Sequence, residues 1–557
     1  LLPVLPTLLL AQVALPSPAA EPPVAPDPAS IVEQLRETRL RPMEALRASG
    51  QTIDLALGRL ELNRGVVIPA SPVEGACREL AFVGEGRLVV QLDDPVETAQ
   101  LELFTGRSSL DIPVERAVLV LGDPDAAAAI LEWGGAAEPD AAVVEQAERM
   151  FGHWTGRARR RGFGADHALF RAAAGDPLGL GYVGVWGNST DIGNFYARID
   201  PSRPESSAMG SFTIFEREVD EDKEKEPEED GAGRPGKGRG NDRRTEWEVS
   251  VRIWVSAASP RAAGMPPHSA GIEPESYAIE LDLDGEELEA RGETRIRLRP
   301  EMDGLRAVSL SLMEEMKVEE IRDGRGRELG WHRVGRAVHV LLSEPTERGR
   351  MLELTVRHRG EPLESLNNFS FALRDTSGWY PHAGWMDRAT YALAFSWPEG
   401  LRLLASGELI EKGVEEGRQW QRRRLDVAAN HVSFEIGRFD VVTEEVGHVE
   451  LTVAFSRIRG PVDPGQREEA VAALKSALLF YEALFGSLPV DHMTVVTVDR
   501  DVSQGLLGFL SLSHSLFVPR ESGGFFTRAA RNLIDPRPRR EIRLEILAHE
   551  MSHQWWG

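Results

Sequence analysis

At 557 residues the chain is too long for one hydrophobic core, and about three or four domains are expected. Hydrophobic residues at 42% and charged residues at 27% describe a globular chain rather than a membrane-embedded or wholly disordered one. Acidic residues outnumber basic ones 88 to 64, and the resulting charge of -24 repels phosphate backbones, so no nucleic acid partner is expected.

The opening LLPVLPTLLLAQVALPSPAAEPP has the apolar core and small-residue exit of a secretory signal without its start, over about residues 1–20. It is too short to span a bilayer and is broken by Pro3 and Pro6, so export to a periplasmic or extracellular space is expected, with no transmembrane segment. The single cysteine, Cys77, excludes an intrachain disulfide and a Cys-rich metal knuckle, and is expected to be a small buried apolar residue.

A short amphipathic piece lies around Ile31 to Leu46. From Gln51 to Leu121 the segments TIDLALGRLEL, RLVVQL, TAQLELFTG and ERAVLVLG alternate between Gly, Pro and Asp breaks, which predicts antiparallel strands. Two helices are expected between Asp125 and Arg161, in AAAAILEW and DAAVVEQAERMF, before strands resume with LGYVGVWG and NFYARID. An acidic block followed by a Gly/Arg/Pro block, near 217–245, has nothing to bury and is expected to be a disordered insert. Its flanks SFTIFEREV and EWEVSVRIWV both alternate, so the insert should join two paired strands within a β-rich region over 51–270.

Eight or more short strands at regular spacing follow from about 275 to 442, beginning with the hairpin YAIELDLDGEELEARGETRIRLRP, and suggest a packed pair of sheets. Over 443–557 the character changes. Val471, Leu474, Leu478, Tyr481 and Phe485 form a helical stripe that Gly486 and Pro489 stop. MTVVTVD and LGFLSLSHSLFV read as strands, and Arg540 to Trp556 as a helix. The fold class is therefore multidomain and mainly β with an α+β end.

The chemistry sits at that end, in HEMSHQWWG. His549 and His553 are one helical turn apart, so both imidazoles project from one side and can share an ion, and neutral imidazole is a good zinc ligand. Glu550 is turned partly away and is placed to act as general base on a zinc-activated water. Chance gives H-E-x-x-H in a chain of this length and composition about once in thirty. The bland alternative is a surface helix with two solvated histidines; the flanks LEILA and QWW argue instead for a buried helix, whose imidazoles need a partner such as Zn2+. A catalytic zinc needs a third protein ligand, and none of Gln554 to Gly557 can supply it. His382 in GWYPHAGW and His514 in LSHSLF are read as ordinary core or surface histidines, and Trp555 and Trp556 as packing residues. No phosphate loop and no Ser/His/Asp elbow appear.

HEMSHQWWG resembles the H-E-x-x-H-x-W-x-G signature of the aminopeptidase N family of zinc metallopeptidases, which includes leukotriene-A4 hydrolase. YAIELDLD, GWYPH, PEGLRLLASGEL and ALLFYEALFGSLPVDHMTVVTV resemble successive parts of the same family, and the likeness covers about 275–557. It implies a saddle-like β-sandwich domain over 275–442 and the start of a thermolysin-like catalytic domain over 443–557, with the N-terminal β-rich region unassigned. It also implies metal ligands His549 and His553, the base Glu550, a peptide substrate, and a third ligand Glu about nineteen residues past His553, beyond Gly557. On that reading the 557 residues are a fragment with little activity of their own.

One departure bears on substrate. Where the family carries a G-x-M-E-N segment whose Glu grips a free amino group, this chain has VSQGLLGFLSLSHSLF, which lacks a Glu. Gly505 and Gly508 remain candidates for presenting backbone to a peptide, with a plain structural strand as the equal alternative. Two functions follow: zinc-dependent, aminopeptidase-like peptide hydrolysis in the full-length protein, or a catalytically inert peptidase-like binding or scaffold protein. Oligomeric state is not legible.

Overall fold

A computed structural model describes residues 27–55, 58–91, 95–132, 134–155, 165–189, 193–202, 207–219, 244–257, 271–285, 288–367, 370–384, 387–458, 461–500, 503–516 and 539–556. The apolar opening segment and the charged stretch 220–243 lie outside the described residues. Three bodies of structure follow one another along the chain, each built on its own sheet or sheets.

The first is a nine-stranded antiparallel sheet running as a meander from Leu46–Ala48 to Arg244–Ala257. Strand Leu110–Leu121 shows why it forms: its inward residues Ile112, Val114 and Ala117 are buried, while Asp111, Pro113 and Glu115 face outward. Ser207–Val219 and Arg244–Ala257 pair antiparallel, from Ser207↔Ala257 to Val219↔Arg244, so the charged stretch joins neighbouring strands. One element differs from the strand that alternation suggested: TAQLELFTG lies in a helix, Pro95–Thr105. Pro95 opens it, Glu, Ala, Gln and Leu favour it, and a short apolar run carries no period long enough to tell strand from helix. The two helices in the Ala-rich stretch are Pro124–Glu132 and Ala141–His153.

A seven-stranded sheet comes next, in the order Met316–Asp323, Leu352–Gly360, Glu289–Pro300, Ile272–Asp284, Ala389–Pro398, Arg418–Ala429, Glu408–Glu415, accompanied by two four-stranded sheets. Its inner face is aliphatic and aromatic, with Tyr391 and Phe395 buried against Tyr380, Trp379 and Phe434 from outside the sheet. Its outer face is laddered with Arg/Glu pairs such as Arg357 with Glu293 and Arg359 with Glu319.

These two bodies are joined through Asp176. Its carboxylate accepts from Arg171 at 2.8 and 3.1 Å, from Leu178 N, and from the backbone N–H groups of Arg306 and Ala307 at 2.8 and 3.2 Å. Both charges are buried, and five donors satisfy the carboxylate, which is the condition under which a buried ion pair is tolerated.

The third body is a five-stranded mixed sheet in the order Phe439–Val446, Val449–Ser456, His492–Val498, Phe509–Ser513, Gln504–Leu506. Val449–Ser456 and His492–Val498 are parallel, and the 22-residue helix Pro464–Phe485 crosses between them. Asp463 caps that helix, and Gly486, with φ of 90°, ends it. The helix Arg539–Trp556 packs on this sheet, and Gln504–Leu506 forms the sheet's edge. No described helix is long and apolar enough to cross a membrane.

Candidate metal-binding active site

The terminal helix buries one stripe. Leu547, Glu550, Met551 and Gln554 stand at steps of three, one and three, and each is 7% exposed or less. His549 and His553 flank that stripe: His549 is exposed and His553 half-buried. Their ring centroids are 5.0 Å apart with planes at 87°. Contrary to the expectation from the sequence, the imidazoles are not the buried groups of this helix. The apolar flanks do bury the helix, but the polar side chains they carry inward are Glu550 and Gln554, while the imidazoles stand at the edge of the stripe.

Burial pushes the Glu550 carboxyl above its ordinary value, opposed by His549, by His553 and by a backbone hydrogen bond from Gly505. Gly505 explains how the edge strand comes so close. A Cβ there would collide with the Glu550 carbonyl oxygen and stand 3.0 Å from the His553 Cβ, so only glycine lets strand and helix backbones meet. Gly505 pairs with Leu510 across the hairpin. Gly508 lies in its turn at φ of 70°, and its N–H is donated to the Gln554 Oε1 at 2.7 Å.

Gln554 was not singled out from the sequence. Its amide also donates to the Leu506 carbonyl at 2.8 Å, so one side chain clasps both ends of the turn. The signal was available: a polar residue three positions past Met551, on the stripe that Leu547 starts, has to find partners when buried. At the far side, Trp555 donates to the Gly486 carbonyl at 3.1 Å and packs on Tyr481, whereas Trp556 meets Phe485 edge-on and stays 55% exposed.

The other histidines singled out from the sequence are buried in other surroundings. His382 bonds the Gly384 carbonyl at 3.0 Å and lies edge-on to His431. His514 is buried, 3.4 Å from the Thr497 hydroxyl. Cys77 is half-buried, its thiol on the Glu79 carbonyl and pushed up by burial.

Two imidazoles one turn apart, with a carboxylate between them, fit the nitrogen and oxygen preferences of zinc. Among the described residues no group of three His, Cys, Asp or Glu side chains gathers to hold a metal, so His549 and His553 stand as a pair.

The site thus has the form of a H-E-x-x-H helix laid against the edge of a mixed sheet. No protein-family model matches the chain, and no curated protein matches it. Among solved structures it is similar to the M1 zinc metallopeptidase of Deinococcus radiodurans, at 17% identity and a TM-score of 0.39, over 52% of this chain and 65% of that one. A mutant of that enzyme with a Tyr-Ser-Ala substrate gives 16% identity and the same TM-score, over 52% of this chain and 66% of that one. The chain therefore spans just under two thirds of the length of those structures.

Proposed function

We propose that His549, Glu550 and His553 form the metal-binding and proton-transfer turn of a zinc-dependent peptidase. The observation that carries this reading is the pair of imidazoles 5.0 Å apart on one helical turn, with the buried Glu550 carboxylate between them in sequence. His549 and His553 would hold the metal, with the ligand set completed by a further residue. Zinc, when bound, supplies Lewis acidity that brings a water's pKa towards neutrality and polarises a peptide carbonyl.

The chain's own groups do the rest. Glu550 accepts the proton of the attacking water and passes it to the leaving amine. The hydrogen bond from Gly505 holds that carboxylate in place, and the apolar neighbours Leu547 and Met551 keep bulk water from its inner side. The edge strand Gln504–Leu506 supports a peptide substrate laid along it. No acidic side chain occurs between Val502 and Phe517, so the reading includes peptides without a requirement for a free amino terminus held by a carboxylate in this segment.

The test is Glu550→Gln in a protein that carries the complete ligand set. Zinc content should be unchanged, while peptide hydrolysis falls by about 10²–10⁴-fold. Hydrolysis at the normal rate would show that Glu550 is not the base.

A further inference from the structure

The seam between the first and second bodies holds a second histidine cluster that peptide hydrolysis does not use. His167 comes from the helix Ala165–Ala173, Ser309 from the strand Ala307–Ser311, and His339 from the strand Ala337–Leu341. The Nδ1 atoms of His167 and His339 are 3.2 Å apart, and the Ser309 hydroxyl is 2.9 Å from the first and 3.0 Å from the second. The two rings stack at 17° with centroids 5.0 Å apart, and Phe170 covers His339 at the same centroid distance. His339 is only 3% exposed.

Three polar atoms in so small a triangle can share only a limited number of protons. With both rings neutral, one Nδ1 donates to the serine oxygen, and the serine hydroxyl donates to the other Nδ1. A further proton makes both Nδ1 atoms donors, facing each other across 3.2 Å, with His339 buried and His167 half-buried.

Charges of both signs stand near the cluster. On the same helix Asp166 adjoins His167 in sequence, and Arg171 acts on His339 while paired to Asp176. His332, opposite His339 on the strand Trp331–Val334, adds to the burial that holds His339 down to about 4. His332 in turn feels Arg36 and Asp27, at the N-terminal helix.

We propose that His167, Ser309 and His339 form an acid-sensitive latch that fastens the helical side of the first body to the second body and releases it when the rings take up protons. The sign follows from linkage. A histidine held below its ordinary value contributes stability that is complete above pH about 6.5 and is lost as pH falls from there towards 4. Opening would expose the packing of Leu169, Phe170 and Tyr182 with Ala307 and Leu341.

The test is amide hydrogen exchange of the whole chain at pH 7.5 and pH 5, corrected for the intrinsic pH dependence of exchange. Protection in Ala165–Ala173 and Ala337–Leu341 should fall tenfold or more at pH 5, while Leu110–Leu121 changes by less than twofold. In the double variant His167→Gln/His339→Gln, which removes both rings, the acid-induced loss at the seam should shrink to within twofold. Equal seam protection at both pH values, or an equal acid loss in the double variant, would overturn the proposal. Should that variant not fold, imidazole resonances of the unsubstituted protein decide. Titration of His339 below pH 6, coincident with seam opening, supports the latch; titration near 6.5 with the seam closed refutes it.

Discussion

Gly505 and Glu550 touch backbone to backbone: the α-carbon of the edge strand has no room for a side chain above the Glu550 carbonyl. The helix that carries His549 and His553 and the edge strand Gln504–Leu506 are thereby fixed at one spacing. Gly505→Ala must push the two apart, at a cost of about 1–3 kcal/mol. Thermal unfolding should show that loss, and zinc affinity should fall with it. Gly135→Ala, where a Cβ meets nothing within 4 Å, should change stability by no more than about 0.5 kcal/mol.

Gln554 is the second fastening of that spacing. Gln554→Ala leaves the Gly508 N–H and the Leu506 carbonyl without their partner, a loss of about 1–3 kcal/mol. Gln554→Glu keeps an acceptor for Gly508 and loses the donor to Leu506, so it should fall between Ala and the parent. Chemical unfolding of the three proteins checks the order.

Acid stability should depend on His358. It is buried against Gly292, with its Nε2 3.0 Å from the Thr294 hydroxyl, and burial holds it down to about 4. A group depressed in the folded state stabilises fully above its unfolded value, and that stability drains away as pH falls from about 6.5 towards 4. His358→Gln should flatten the fall by up to about 1.4 kcal/mol per pH unit, measured by urea unfolding at several pH values. His382, also held to about 4, keeps part of the slope in the variant.

The features legible in the sequence were those written in short, dense patterns. The helix Pro464–Phe485 could be read from its stripe and its Gly486 stop, and the pairing of Ser207–Val219 with Arg244–Ala257 from the alternation on both sides of the charged stretch. His549, Glu550 and His553 were visible because four residues of helix fix their geometry. What escaped depends on contacts distant in sequence. Gln554 finds its partners 46 and 48 residues away, His167 meets His339 across 172, and no local period encodes either meeting. The helix Pro95–Thr105 escaped for another reason, since its apolar residues fit a strand as well as a helix.

The most direct measurement is zinc titration of the chain by calorimetry, alongside His549→Ala, His553→Ala and Glu550→Gln. Two imidazoles acting together predict a single weak site, weakened tenfold or more by either histidine substitution and left within about threefold by Glu550→Gln. Zinc bound with equal affinity after His549→Ala or His553→Ala would show that this turn is not where the metal sits.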